Sequence, residues 1–458
     1  MPARPRPRRA IYWLAGGRGV GRVGVTAGPA PGARGAWDHQ PRMNPATATP
    51  PAPATSPEEG LAETVAWLCS QPGRGPGTDA ERRSAIAVRD RLRERGRTAG
   101  LQTIWVRPHW PWTHALHCLL GVGGSIVSVW EPIVGGAILA ATLISFAGDL
   151  SGRWALVRLL TPRRATQNVV SPPPASQAAK ARLVIAAHLD AGRTGAVYGV
   201  WAGLEARLRQ ALRGHLASPL GWLATAILVL LGVAVARWQG VSGTALGVAQ
   251  FLPTVALLIG FASLVDVGLS DFSPGASANA SAVAVALALA HELDRAPPRR
   301  LAVEVVLAGA GEAPAAGVTA YARSLRRSRR PEDTVVLGIE ACGTGTPRWL
   351  TRDGPLAPLR LHPQLIALAE RAAHAEAPHA RPFASHGSSP AWPPRRVARW
   401  PAIAIGCRDE RDAVPRAHTP EDTPAQIDPG ALRAALDFGL VLVGFIDDHL
   451  DRVTGAAG

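Results

Sequence analysis

The sequence predicts an α/β fold: a mostly parallel mixed sheet sandwiched by helices, with two transmembrane helical hairpins inserted into it. Three observations carry that expectation. From Gln167 onward, short Val-, Leu- and Ile-rich runs alternate with stretches of helical periodicity, the pattern of parallel strands joined by crossover helices. Two pairs of long apolar runs interrupt the alternation, and a bilayer-crossing helix needs about 20 such residues. The composition agrees, with 458 residues of which 47% are hydrophobic and only 18% charged. That is enough chain for a large core, and it is apolar for a soluble protein.

Residues 1–57 are an Arg/Pro/Gly-rich tail with too little apolar surface to bury, and disorder is expected there. The run Ala10–Ala15 is broken by Gly16-Gly17-Arg18, too short for a signal peptide, and Met43 is a second candidate start. Folded structure is expected over 58–112. Leu61, Val65 and Leu68 recur at helical spacing, Thr78-x-x-Glu81 is a capping-box signature, Gly96 is a stop, and Leu101–Val106 reads as a strand.

The first hairpin occupies 113–150, with Ala115–Trp130 and Ile133–Gly148 separated by Glu131-Pro132, a turn that a continuous helix tolerates poorly. Buried core helices are the alternative reading of this pair. The domain resumes over 151–215, with strands at Gln167–Ser171 and Leu183–Ala187. The second hairpin occupies 216–269, with Leu216–Ala236 and Val241–Val265 around Arg237–Gly240. The remainder, 270–458, predicts helices at Ser281–Asp294, Ala313–Leu325 and Leu365–Ala375. Strands fall at Leu301–Leu307, Val335–Ile339 and Pro401–Ile405, and a last helix runs from Asp428-Pro429 to about Leu450.

The net charge is +15. Residues 1–42 alone hold eight Arg and one Asp, and much of the rest of the excess lies beside the apolar runs. With no basic stripe interleaved with aromatics, no nucleic-acid partner is expected. Arg95, Arg97, Arg107, Arg153, Arg158, Arg163, Arg164, Arg207, Arg209 and Arg213 flank one face of the hairpins and Arg237 the other. By the positive-inside rule the domain is cytoplasmic, on an integral protein of the plasma membrane, with the lipid bilayer as a partner. No protein partner is legible. Cys69, Cys118, Cys342 and Cys407 form no CxxC pair, so neither a disulfide framework nor a cysteine zinc site is implied.

The chemistry-bearing residues come in a set order. Leu183-Val-Ile-Ala-Ala-His-Leu-Asp190 is a buried strand ending in two polar side chains, and residues two apart emerge on one face. A metal-binding imidazole beside a carboxylate that fixes its tautomer is the functional reading. A structural histidine is the plain one. Ser273–Ala290, SPGASANASAVAVALALA, is a tight turn opening a small-residue helix, and alone it speaks for helix–sheet packing. Glu312 follows in Gly309-Ala-Gly-Glu-Ala313, Glu340 in Gly338-Ile-Glu-Ala-Cys-Gly343, and His418 in His418-Thr-Pro-Glu-Asp422.

In that order the set resembles the co-catalytic zinc exopeptidase family, which includes bacterial zinc aminopeptidases and the protease-like domain of the transferrin receptor. The resemblance implies a zinc exopeptidase-like fold, hydrolysis of N-terminal peptide bonds, a peptide substrate or peptide-like ligand, and zinc. It places one metal on His188 and Glu340 and the other on Glu312 and His418, with Asp190 as the orienting carboxylate. Two positions depart from the family's pattern. Its metal-bridging aspartate falls on Ala278, and its general-base glutamate falls on Gly311. Ser385-His386 stands where a Ser-Asp pair is usual. Without the bridge each metal keeps two protein ligands, whereas a catalytic zinc normally has three. A lost general base alone costs about 10²–10⁴ in rate. Asp271, or Asp409 through Asp412, is a candidate replacement carboxylate.

These departures leave two readings open: a membrane-anchored zinc aminopeptidase, impaired or rebuilt, and an inactive copy whose cleft serves as a binding or scaffolding surface. Zinc occupancy is correspondingly one or two ions, or none. A transporter is disfavoured, because the apolar runs have no charged residue in their interiors.

Overall fold

Near-continuous burial along the central strands sets the architecture, and a computed structural model describes it for residues 57–175, 179–200 and 218–455. The tail expected over 1–57 lies outside these residues but for its last, as do Arg207, Arg209 and Arg213. Helices α1 (Pro57–Cys69) and α2 (Asp79–Glu94) lead into strand β1 (Gly100–Val106). After an apolar helical pair, α3 (Trp110–Val127) and α4 (Pro132–Leu150), come β2 (Arg164–Ser171), β3 (Ala181–His188) and the short α5 (Ala196–Val200). A second apolar pair follows, α6 (Pro219–Trp238) and α7 (Thr244–Leu269). The chain then runs through α8 (Ser281–Arg295), β4 (Leu301–Ala308), α9 (Ala316–Leu325), β5 (Thr334–Ile339), β6 (Thr346–Asp353) and β7 (Leu359–Arg360). It closes with α10 (Pro363–Glu376), β8 (Arg381–Ala384), β9 (Ala402–Arg408), α11 (Pro429–Asp448) and α12 (Leu450–Gly455).

The strands form one mixed sheet in the order β1-β2-β4-β3-β5-β9-β6-β7, with β8 beside β6. Its centre, β4-β3-β5-β9, is parallel, and its flanks are antiparallel at β1-β2, β2-β4, β9-β6 and β6-β7. Leu183, Ile185 and Ala187 face one core with Val303, Val305, Leu337 and Ile405, where α1, α8 and α11 cover the sheet. Val184 and Ala186 face the other with Val336, Ala404 and Trp400. Burial on both faces explains why these strands read as continuous apolar runs.

Three strands, β6, β7 and β8, were hidden in the sequence. In β6, written TPRWLTRD, a proline and two arginines mask the alternation, and β8 has only four residues. The helix expected from Ala313 starts at Ala316, because Ala315 adopts a left-handed conformation (φ 49°) that no helix continues through.

The capping box at Thr78 is half built. Thr78 Oγ1 accepts the Glu81 amide, but the Glu81 carboxylate turns inward instead of back to its cap. Thr78→Ala is expected to lower stability by about 1 kcal/mol, the usual value of an N-cap, read as a shift of the thermal unfolding midpoint.

The apolar pairs pack together as a four-helix bundle with its own core, including Cys118, Leu139, Phe146, Ile227, Leu230 and Leu257. Ser125 Oγ meets Thr254 Oγ1 at 2.7 Å, and the Gln250 amide donates to Ser125 O at 2.7 Å, so polar contacts fix the pairing of the hairpins. Among the described residues five helices are long and apolar enough to cross a membrane: α4, α6, α7, the segment Ala276–Arg295 and α11. The last two bury their apolar faces on the sheet. The helix α3, in the first hairpin, falls outside the five; it carries His114 and His117, both buried. Arg97, counted in sequence among the membrane-flanking charges, is a core residue bonded to Asp294 at 2.6 and 2.7 Å.

Candidate functional site

The parallel centre of the sheet delivers its strand ends to one edge, where open α/β sheets bind ligands. His188 ends β3, Glu312 lies in the turn after β4, and Glu340 follows β5. His418 comes from the long connection after β9. A cavity of about 320 Å³ opens at that edge, and all four of these residues line it, together with Ala278 and Gly311.

Gly275 starts the turn that carries Ala278. It is left-handed (φ 65°), and a Cβ there would sit 3.0 Å from that of Ala191. The turn continues as one π-helical coil, Ala276–Ala280, into α8. Asp422, last residue of the His418 motif, holds the coil by accepting the Ser277 and Ala278 amides at 2.7 and 3.2 Å. Arg74, almost fully buried, ties the neighbouring segments by donating to the carbonyls of Leu68, Leu189 and Pro274.

The loop after β4 stores strain. Ala310 and Ala315 are both left-handed without being glycine, and His418 is left-handed as well (φ 52°, 49° and 61°). Such conformations cost about 1–3 kcal/mol each and collect at functional sites. Glu81 supports this loop from below. Its Oε1 accepts the Ala310 amide and the Thr166 hydroxyl, each at 2.7 Å, and its Oε2 accepts the Gly77 amide at 2.7 Å. Burial pushes its pKa up to about 7, against the hydrogen bonds that favour the anion.

Asp190 does not orient His188. Its two oxygens accept the Gly311 and Glu312 amides at 2.6 and 2.9 Å, so it braces the loop. Burial, then the nearby Glu81 and Glu312 charges, hold its pKa well above the usual carboxylate range. The His188 Nε2 is covered and has no hydrogen-bond partner among the described residues. Burial lowers its pKa to about 4, so at neutral pH the ring is uncharged.

The other donors are partly engaged. Glu312 Oε1 accepts the Asn279 amide at 2.9 Å, and its Oε2 stands 4.0 Å from His418 Nε2. His418 stacks on Tyr198 with ring centroids 4.7 Å apart. Glu340 is ion-paired to Arg408 at 2.7 Å. Among the described residues no three His, Cys, Asp or Glu converge closely enough to hold a metal ion. The expected four-ligand set therefore shares a cavity without converging on one point. The candidate replacements do not line the cavity: Asp412 pairs with Arg348 at 3.0 Å, and Asp409 accepts the Arg411 and Ala413 amides.

The donor set does not fit a co-catalytic zinc pair. Ala278 offers no bridging carboxylate, and a fixed guanidinium occupies Glu340. Gly311 leaves no room for a base either, because a Cβ there would lie 2.2 Å from His188 Cγ.

Sequence reasoning missed Arg408 and His114. Arg408 ends an apolar strand and gave no motif. His114 sits four residues into an apolar helix, yet its ring lines the same cavity and both ring nitrogens are buried with no hydrogen-bond partner among the described residues. Trp110, Leu150 and Leu220, from three helices of the bundle, line it too.

A family model described as peptidase family M28 matches residues 263–443. Among solved structures, a zinc aminopeptidase from Bacillus subtilis is similar at 13% identity, covering 84% of this chain and 94% of that chain, with a TM-score of 0.50. An aminopeptidase from Aneurinibacillus sp. strain AM-1 is similar at 12% identity, covering 84% and 93%, also with a TM-score of 0.50. At such identities these likenesses show the fold. No curated protein matches the chain. The matched stretch contains the Ala278 turn, Glu312, Glu340 and His418, and over it the chain is similar to peptidase family M28.

Proposed function

We propose that this chain is a membrane-anchored, peptidase-like protein in which the two-zinc hydrolytic site has been dismantled and the cleft kept to bind a peptide-like ligand. The carrying observation is the pairing at the cleft wall. Glu340 is committed to Arg408, a permanent cation placed where the family's pattern puts a metal. Ala278, which lines the same cavity, supplies no carboxylate to offset that charge. Two divalent ions beside a buried guanidinium would repel it and each other without the shared anion that normally holds them.

The bundle supports the anchor. Trp130 and Trp238 stand exposed at the turns of the two hairpins, and Trp112, Trp154 and Trp222 at the domain end. Between the two sets lie exposed Leu119, Leu120, Ile144, Leu228, Val229, Leu258 and Ile259. Aromatic residues at both ends of an apolar band mark the two interfaces of a bilayer. Trp222 and Trp238 are separated by about 24 Å at 1.5 Å per residue, close to a hydrocarbon core of about 30 Å. The arginines flanking the domain end in sequence support a domain on the cytoplasmic side of the plasma membrane.

The remaining zinc chemistry would rest on Glu312 and His418, which an aminopeptidase reading favours. Detergent-purified full-length protein, dialysed against trace zinc, separates the two. The expected result is fewer than two zincs per chain by mass spectrometry and release of N-terminal residues from short peptides at the rate of a metal-free blank. Two zincs with turnover would overturn the proposal and restore the enzyme.

A further inference from the structure

The anchor is part of the cleft. The cavity that holds His188, Glu312 and Glu340 is walled on one side by Trp110 and His114 of α3, Leu150 of α4 and Leu220 of α6. These residues lie at the domain end of the bundle, the level at which Trp112, Trp154 and Trp222 are exposed. The cleft therefore sits at the height of the membrane interface, with polar groups from the sheet edge and apolar groups from the helix ends facing one space.

His114 shows that the helical wall expects a ligand of its own. The residue is fully buried, and neither ring nitrogen has a hydrogen-bond partner among the described residues. Asp149 lies 3.9 Å from its Nε2, and that carboxylate is already bonded to Arg158 at 3.0 Å. A buried imidazole left without a partner costs free energy. On the sheet side the His188 Nε2 is in the same condition. Both residues line the one cavity, so their unmet ring nitrogens call for a polar ligand group, and the apolar residues beside His114 call for a hydrocarbon part.

Resting on the binding function proposed above, we infer that the cleft opens to the bilayer surface and takes an amphipathic peptide, one whose polar end sits among His114, His188 and Glu312 while its apolar part stays in the membrane. A chain held in the bilayer is concentrated for a mouth that opens there and depleted for a mouth that opens to water. The effect of a hydrocarbon tail on binding thus has opposite signs in the two cases.

The test uses the full-length protein in nanodiscs and two probes: Leu-Ala-Gly-Gly as its methyl amide, and the same peptide as its dodecyl amide. Binding to empty discs is subtracted. The dodecyl peptide is expected to show an apparent Kd at least tenfold lower than the methyl peptide. Leu220→Glu, at the mouth, is expected to remove most of that advantage. His114→Phe keeps an aromatic ring and removes hydrogen bonding, and it should weaken both probes at least fivefold with an unfolding midpoint no lower than that of the wild type. His114→Asn, which restores a donor and an acceptor, should recover part of the loss. Equal or weaker binding of the dodecyl peptide overturns the inference and leaves the binding function standing. Absence of binding by either probe overturns both.

Discussion

Glu81→Ala is expected to destabilise the protein by about 3 kcal/mol or more, at about 1–3 kcal/mol for each buried donor left without an acceptor. Three donors lose their acceptor at once: the Gly77 amide, the Ala310 amide and the Thr166 hydroxyl. Ala310 is the left-handed residue one position before Gly311, so the loop carrying Glu312 loses its support as well. Chemical denaturation of the full-length protein measures the loss, and a change under about 1 kcal/mol would remove Glu81 from this role.

The same carboxyl gives stability a pH dependence with a definite sign. Its folded pKa of about 7 stands above the ordinary value of 4.5, so the folded state holds its proton more tightly than the unfolded chain. Stability from this group is complete below about pH 4.5 and is lost as the pH rises through about 7. At about 1.4 kcal/mol per pKa unit, the change is on the order of 3 kcal/mol. Asp353, raised to about 7 by burial and then by Glu340, adds to the same slope. Glu81→Gln keeps the neutral form and should flatten the denaturation midpoint between pH 5 and 7.5 without abolishing the trend. A wild-type midpoint that climbs over this range would contradict the assignment.

The second large effect is expected at Gly311. Alanine there would place its Cβ 2.2 Å from His188 Cγ and 2.7 Å from Cδ2, inside a ring packed at the end of β3. Overpacking of this kind costs about 1–3 kcal/mol, and here the upper end applies because His188 is flanked by the strained loop itself. Gly311→Glu should therefore lower the unfolding midpoint and fail to raise peptide turnover. Paired with His188→Ala, which opens the space, it should recover most of the lost stability. A stable Gly311→Ala protein would show that the imidazole moves freely out of that volume.

What was legible in the sequence was what depends on spacing. The strand ending at His188, the turn before Ala278 and the late His418 motif are local patterns, and a parallel sheet necessarily carries the first of them to the ligand edge. The reach of each side chain was not legible. Asp190 looked like a partner for His188 because two residues apart in a strand share a face; β3 ends at His188, so Asp190 is free to turn toward the Gly311 and Glu312 amides instead. Glu340 looked like a free ligand because its partner, Arg408, lies 68 residues later on a neighbouring strand. His114 was hidden for the opposite reason, since one imidazole in an apolar helix carries no periodic signal.

The bundle also imposes an order of assembly. Its helices come from two stretches, α3–α4 and α6–α7, with β2 and β3 between them in the chain. The first hairpin leaves the ribosome with Ser125 inside its apolar surface, and that residue finds Thr254 and Gln250 only when the second hairpin arrives. By then β3 has been made while both of its neighbours, β4 and β5, are still to come. The sheet's central strand must therefore wait, paired to neither of these neighbours, until the second hairpin has been made and β4 and β5 follow it. A lesion in the second hairpin would act early, as a failure to retain that strand, and its damage would surface in the sheet.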